Sequence, residues 1–139
     1  MIARAKPTAA LAALAFAGAS SGVALAGGGH PQVKLTVPQV VVRPGNDFVV
    51  IAHGHSASTT LTVYIAQRGC ESNDSGERAK MRHHADVRLI LDKSPEGRFS
   101  FHVKLREHSG RFHACAYLVN RIRHHTVSHA EATWDVRPT

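Results

Sequence analysis

Apolar and polar residues alternate along most of this chain with a period of two, the signature of strands with one face buried. Val33, Leu35 and Val37 alternate with Lys34 and Thr36 between Pro31 and Pro38, which predicts a half-buried edge strand. Residues 40–42 continue it briefly, and Pro44, Gly45, Asn46 and Asp47 make a turn. Residues 48–52 predict a more buried second strand. Residues 60–67 predict a third, with Leu61, Val63 and Ile65 on one face and Thr60, Thr62 and Tyr64 on the other. Residues 86–91 read as a short strand with Val87, Leu89 and Leu91 inward. A Pro-Glu-Gly turn then leads into residues 98–106, where Phe99, Phe101, Val103 and Leu105 alternate with Arg98, Ser100, His102, Lys104 and Arg106. Residues 111–120 depart from the rule: they are apolar almost throughout, which predicts a central strand covered on both faces. Residues 126–136 close the pattern with Ala130, Ala132, Trp134 and Val136 inward. From 68 to 84 no period is visible, and 71–77 reads as a polar surface loop.

About seven short strands at this spacing, with turn residues between them and no helical period, predict an all-β fold, an antiparallel sandwich. The core this implies is Val50, Leu61, Val63, Ile65, Leu89, Phe99, Phe101, Val103, Phe112, Leu118 and Trp134.

Residues 1–26 change the address. Arg4 and Lys6 precede an alanine-rich apolar stretch, and Ala24-Leu25-Ala26 supplies a small-x-small cleavage site, so these residues read as a secretory signal peptide. Ser20, Ser21 and Gly22 cut the apolar run short of a membrane span. No Cys follows the cleavage site and no twin Arg precedes the apolar stretch, so neither a lipid anchor nor the twin-Arg route is expected. Residues 27–139 are then a single domain, secreted or extracytoplasmic and monomeric. The two cysteines of an exported chain, Cys70 and Cys115, are expected to form a disulfide. The Asn73-Asp74-Ser75 sequon carries no weight beside a leader of bacterial type.

Gly110-x-aromatic-x-x-Cys-Ala-Tyr-Leu, the upstream Cys70-Glu71 after a strand, and an alanine-rich last strand with an aromatic resemble a known group. They are similar to small exported actinobacterial Ig-like β-sandwich domains of unassigned function. The resemblance implies an Ig-like fold and an extracytoplasmic address, not an activity. The second strand has no Cys, and Trp134 is on the last strand, unlike the antibody pattern. The disulfide is therefore expected between the third and sixth strands, or between a loop and the sixth.

Histidine is the compositional anomaly: the chain has 11, all beyond the leader. His53 and His55, two apart on an extended chain, point to one side, and His124 and His125 lie in a loop that the Ig order puts at the same end. These four are a candidate Zn²⁺ or Cu²⁺ site, because imidazole suits both ions. The opposing reading is surface histidine, since no HExxH or zinc-finger spacing is present. Arg98, His102, Lys104 and Arg106 share one strand face and are a candidate polyanion-binding set, and Arg121, Arg123 and His124 sit on a loop. The aromatics fall on inward positions, so stacking of nucleic-acid bases is disfavoured and a wall polymer or unknown protein is the expected partner. The formal net charge of +7 falls by two when Arg4 and Lys6 leave with the leader. No nucleophile elbow, phosphate loop or paired carboxylates are present, so catalysis and a cofactor are not expected. The sequence reading is an exported, non-catalytic binding or structural module.

Overall fold

The structure, a computed structural model, describes residues 30–138; the expected signal peptide and the glycines that follow it lie outside them. The elements in chain order are β1 (Gln32–Thr36), β2 (Val41–Val42), β3 (Asp47–Ser56), β4 (Thr59–Ala66), α1 (Asp74–His83), β5 (Arg88–Lys93), β6 (Gly97–Arg106), β7 (Gly110–Asn120) and β8 (Thr126–Val136). The strands form two sheets, one ordered β1-β3-β6 and the other β2-β8-β7-β4-β5. All strand pairs are antiparallel except β2–β8. This is the all-β sandwich the alternation predicts. Residues 41–42 supply an additional strand, because the chain leaves the first sheet at Pro38 and pairs in the second. There the amides of Asp135 and Arg137 donate to the carbonyls of Val40 and Val42, both at 2.9 Å.

The core between the sheets has two parts. Phe48, Val50, Ile65, Phe112, Trp134 and Val136 fill one, with Phe48 and Trp134 ring centroids 5.1 Å apart. Val33, Ala52, Leu61, Val63, Phe99 and Leu118 fill the other. Phe101 and Val103, expected in the core, are half-buried because β6 is at a sheet edge.

The segment expected to be a loop holds a helix, which corrects the expectation of a chain without one. Asn73 caps α1, its side-chain oxygen accepting the Gly76 N–H at 2.7 Å. Asp74 and Glu77 stand in the first turn and Lys80, Arg82 and His83 in the last, each favourable to the helix dipole. The helix packs on the outer face of β4 and β7, so Thr62, Tyr64, Cys115 and Tyr117 are buried there as fully as the inter-sheet core. β5 is corrected in the same way. Its pairing with β4 slips between Val63 and Tyr64, so Leu91 and Ile90 face the sandwich core. Val87 and Leu89 instead pack with the tyrosines on the helix side.

Cys70, in the loop after β4, is joined to Cys115 on β7 with Cα atoms 5.5 Å apart. The bond therefore runs from a loop to the sixth long strand, the second of the two expected arrangements. Closing a loop of 45 residues contributes roughly 4 kcal/mol in the chain-entropy picture.

Candidate anion-binding face

The register of β1, β3 and β6 decides which side chains share the outer face of their sheet. Val33, Val50, Ala52 and Phe99 point inward, so the intervening residues point out. Read across the strands, Gln32 lies beside His55 and His55 beside Arg98. Lys34 lies beside His53 and His53 beside Ser100. Thr36, Ile51 and His102 make the next row, followed by Val49 with Lys104 and Asp47 with Arg106. Two sets that the sequence suggested for different chemistries, His53 with His55 and Arg98 with His102, Lys104 and Arg106, thus occupy one surface.

The charge on this surface is almost all of one sign. Asp47 is the acidic residue at an outward position of these strands, and Arg106 already engages it, Nη2 to Oδ1 at 3.0 Å. Lys34, Arg98 and Lys104 form no ion pair with the described residues. His53 Nε2 is 3.3 Å from the Thr36 hydroxyl, which fixes one imidazole on the face. Successive outward side chains on one strand recur every ~6.7 Å and neighbouring strands stand ~4.8 Å apart. Cations therefore form a flat lattice whose middle is apolar, at the half-buried Val49 and Ile51. Such a surface can hold a linear anion by several weak contacts.

The opposite outer face shows why this one stands out: α1 covers it over β4 and β7. The Tyr64 and Thr62 hydroxyls each donate to Asp74 Oδ1 at 2.7 Å, and the Asp74 N–H donates to Thr126 Oγ1 at 2.8 Å. The Tyr117 hydroxyl shares its one proton between the Glu71 carbonyl oxygen at 2.7 Å and Glu77 Oε1 at 2.8 Å, and Lys80 Nζ lies 3.4 Å from the other Glu77 oxygen. Burial, then hydrogen bonding to these carboxylates, pushes the pKa of both tyrosines well above the ordinary phenol range. Periodicity could not reveal this polar seat. Its sequence signals were the Asn73 cap and the acids one turn into the helix.

The four histidines suggested for metal do not gather. His53 and His55 lie on β3, whereas His124 and His125 lie in the β7–β8 turn and line a polar cleft of about 440 Å³ with residues 72–75 and 126–129. Among the described residues, the three ligating atoms found within 4.8 Å of one another are those of Cys70, Glu77 and Cys115, whose two sulfurs are bonded together. A histidine–carboxylate pair occurs on the helix-bearing sheet, His113 Nδ1 to Glu131 Oε2 at 2.7 Å. The Thr133 hydroxyl approaches the same ring nitrogen, at 3.3 Å, so it is not placed to surrender a proton to the other one.

Fold and face together define a small disulfide-bonded β-sandwich in which a helix covers β4 and β7 on one outer face, while the other is cationic and no described element covers it. No family model, curated protein or solved structure matches the chain. No helix among the described residues is long and apolar enough to cross a membrane.

Proposed function

We propose that the protein is an exported, non-catalytic binding module of Ig-like architecture that captures an anionic partner on the outer face of β1, β3 and β6. The observation that carries this reading is the convergence of Lys34, His53, His55, Arg98, His102 and Lys104 on one uncovered sheet face whose single acid is already paired. The split of the first strand between sheets and the pairing of its second half with the last strand favour the Ig-like assignment. The leader and the disulfide favour the extracytoplasmic address. Metal binding by His53, His55, His124 and His125 has no comparable support, since no three of their ring nitrogens lie within 4.8 Å of one another.

The test is titration with linear polyphosphate and with polyglutamate at several salt concentrations. If three charges are engaged, affinity for the phosphate chain should fall with salt along a log–log slope of about −2. Lys34→Glu, Arg98→Glu and Lys104→Glu together should weaken binding to either polymer at least ~10-fold with no change in fold, because all three side chains are exposed. Salt-independent binding, or full affinity in the reversed variant, would remove the face from the mechanism.

A further inference from the structure

β6 is the last strand of its sheet: β3 pairs with one of its edges, and among the described residues no strand pairs with the other. The pairing with β3 runs without a slip from Asp47–Arg106 to Ser56–Gly97, so this edge is regular over ten residues. Exposed edges of this kind invite further strands, and proteins usually protect them with proline, a bulge or a charge turned into the core. β6 has none of these, and what guards it is the exposed charge of Arg98, Lys104 and Arg106, which turns away a like-charged strand but not an acidic one. Its inward row is Phe99, Phe101, Val103 and Leu105, and the last three are half-buried. Across the sandwich, Ile90 and Leu91 of β5 are half-buried as well. An ion pair between Arg88 and Glu107 ties the two edge strands at one end and residues 94–96 join them at the other. What lies between is an apolar seam beside an unpaired backbone edge.

The outward row of β6 selects what could pair there. Arg98, His102, Lys104 and Arg106 would meet their own kind if a second copy added its β6, and like charges on facing strands oppose pairing. An acidic strand meets the opposite sign. We propose that β6 is a strand-addition site for an extended segment of another protein in which apolar and acidic residues alternate. The segment extends the sheet through backbone hydrogen bonds, turns its apolar side chains into the seam against Phe101, Val103 and Ile90, and lays its carboxylates beside Arg98 and Lys104. This rests on the anionic-partner reading above and names both the partner and the way it is held.

The probe is a ten-residue peptide alternating valine and glutamate, compared with the same peptide N-methylated at the residues that would donate to β6, with polyglutamate and with linear polyphosphate. Strand addition predicts that N-methylation weakens binding at least ~10-fold, since several backbone hydrogen bonds are lost together. It also predicts slowed amide exchange at alternate residues of β6 and no change in β7. Equal affinity for the methylated peptide, or binding without protection of β6, would overturn strand addition, and polymer binding in the same experiment would leave the charged face standing. If neither the peptide nor either polymer binds at low salt, both readings fall.

Discussion

Tyr64 and Tyr117 show how single residues hold the helix to the sheet. Each is fully buried; Tyr64 gives its hydroxyl proton to Asp74, the Tyr117 hydroxyl stands between Glu77 Oε1 and the Glu71 carbonyl oxygen, and each resists ionisation because a phenolate there would lie buried beside an acid. The consequence for stability has a definite sign. Below the ordinary phenol value of 10.0 the folded and unfolded chains both keep these protons, and the tyrosines add no pH dependence. Above it the unfolded chain releases them while the folded one holds them, so stability falls as pH rises. Urea unfolding should therefore give a stability that drops from about pH 10 upward. Tyr64→Phe and Tyr117→Phe should each be less stable at neutral pH by ~1–2 kcal/mol, through loss of a charge-assisted hydrogen bond. Both variants should lose part of the alkaline slope. A slope unchanged in both would mean that the hydroxyls are not held by the carboxylates of the helix.

Strands were legible in the sequence because each buries one face, so burial writes itself as alternation; the helix was not, because it is seated by Asp74, Glu77 and Lys80 and carries little apolar surface of its own. The same logic separates the two halves of the candidate face. That Arg98, His102, Lys104 and Arg106 share a side follows from their spacing within one strand. That His53 and His55 join them depends on β3 pairing with β6, a long-range register that no local pattern encodes. The motif His53-Gly54-His55 offers two imidazoles, yet the residue fixed most tightly is the glycine. A Cβ on Gly54 would stand 1.9 Å from the Gln32 carbonyl oxygen, so β1 can approach β3 only because that atom is missing. Gly54 also has a φ of +155°, which other residues rarely adopt. Gly54→Ala should cost about 1–3 kcal/mol, as overpacked sites do, and should raise amide exchange in β1 before other strands. An alanine variant as stable as the parent would show that β1 is free to shift away.

At the scale of the molecule, the division of labour between the two outer faces turns the histidines from a compositional oddity into a graded charge. One face commits Thr62, Tyr64 and Tyr117 to its own helix; the other leaves three imidazoles, His53, His55 and His102, among fixed cations. The groups facing them are Gln32, Lys34 and Thr36 from β1, Ile51 from β3 itself, and Arg98, Ser100 and Lys104 from β6. Asp47 lies at the far end, engaged by Arg106. A bound polyanion favours each added proton on this face, so proton uptake and ligand binding strengthen each other. Imidazoles as a class change charge between pH 8 and 5, the range in which this coupling acts. Affinity for linear polyphosphate at fixed salt should rise several-fold as pH falls from about 7.5 to about 5.5. The fixed cations should keep a weaker binding at the higher pH. Replacing His53, His55 and His102 with glutamine should leave that weaker binding in place and remove its response to pH. Equal affinities of the parent protein at both pH values would instead assign the whole interaction to Lys34, Arg98 and Lys104 and leave the imidazoles as bystanders on the face.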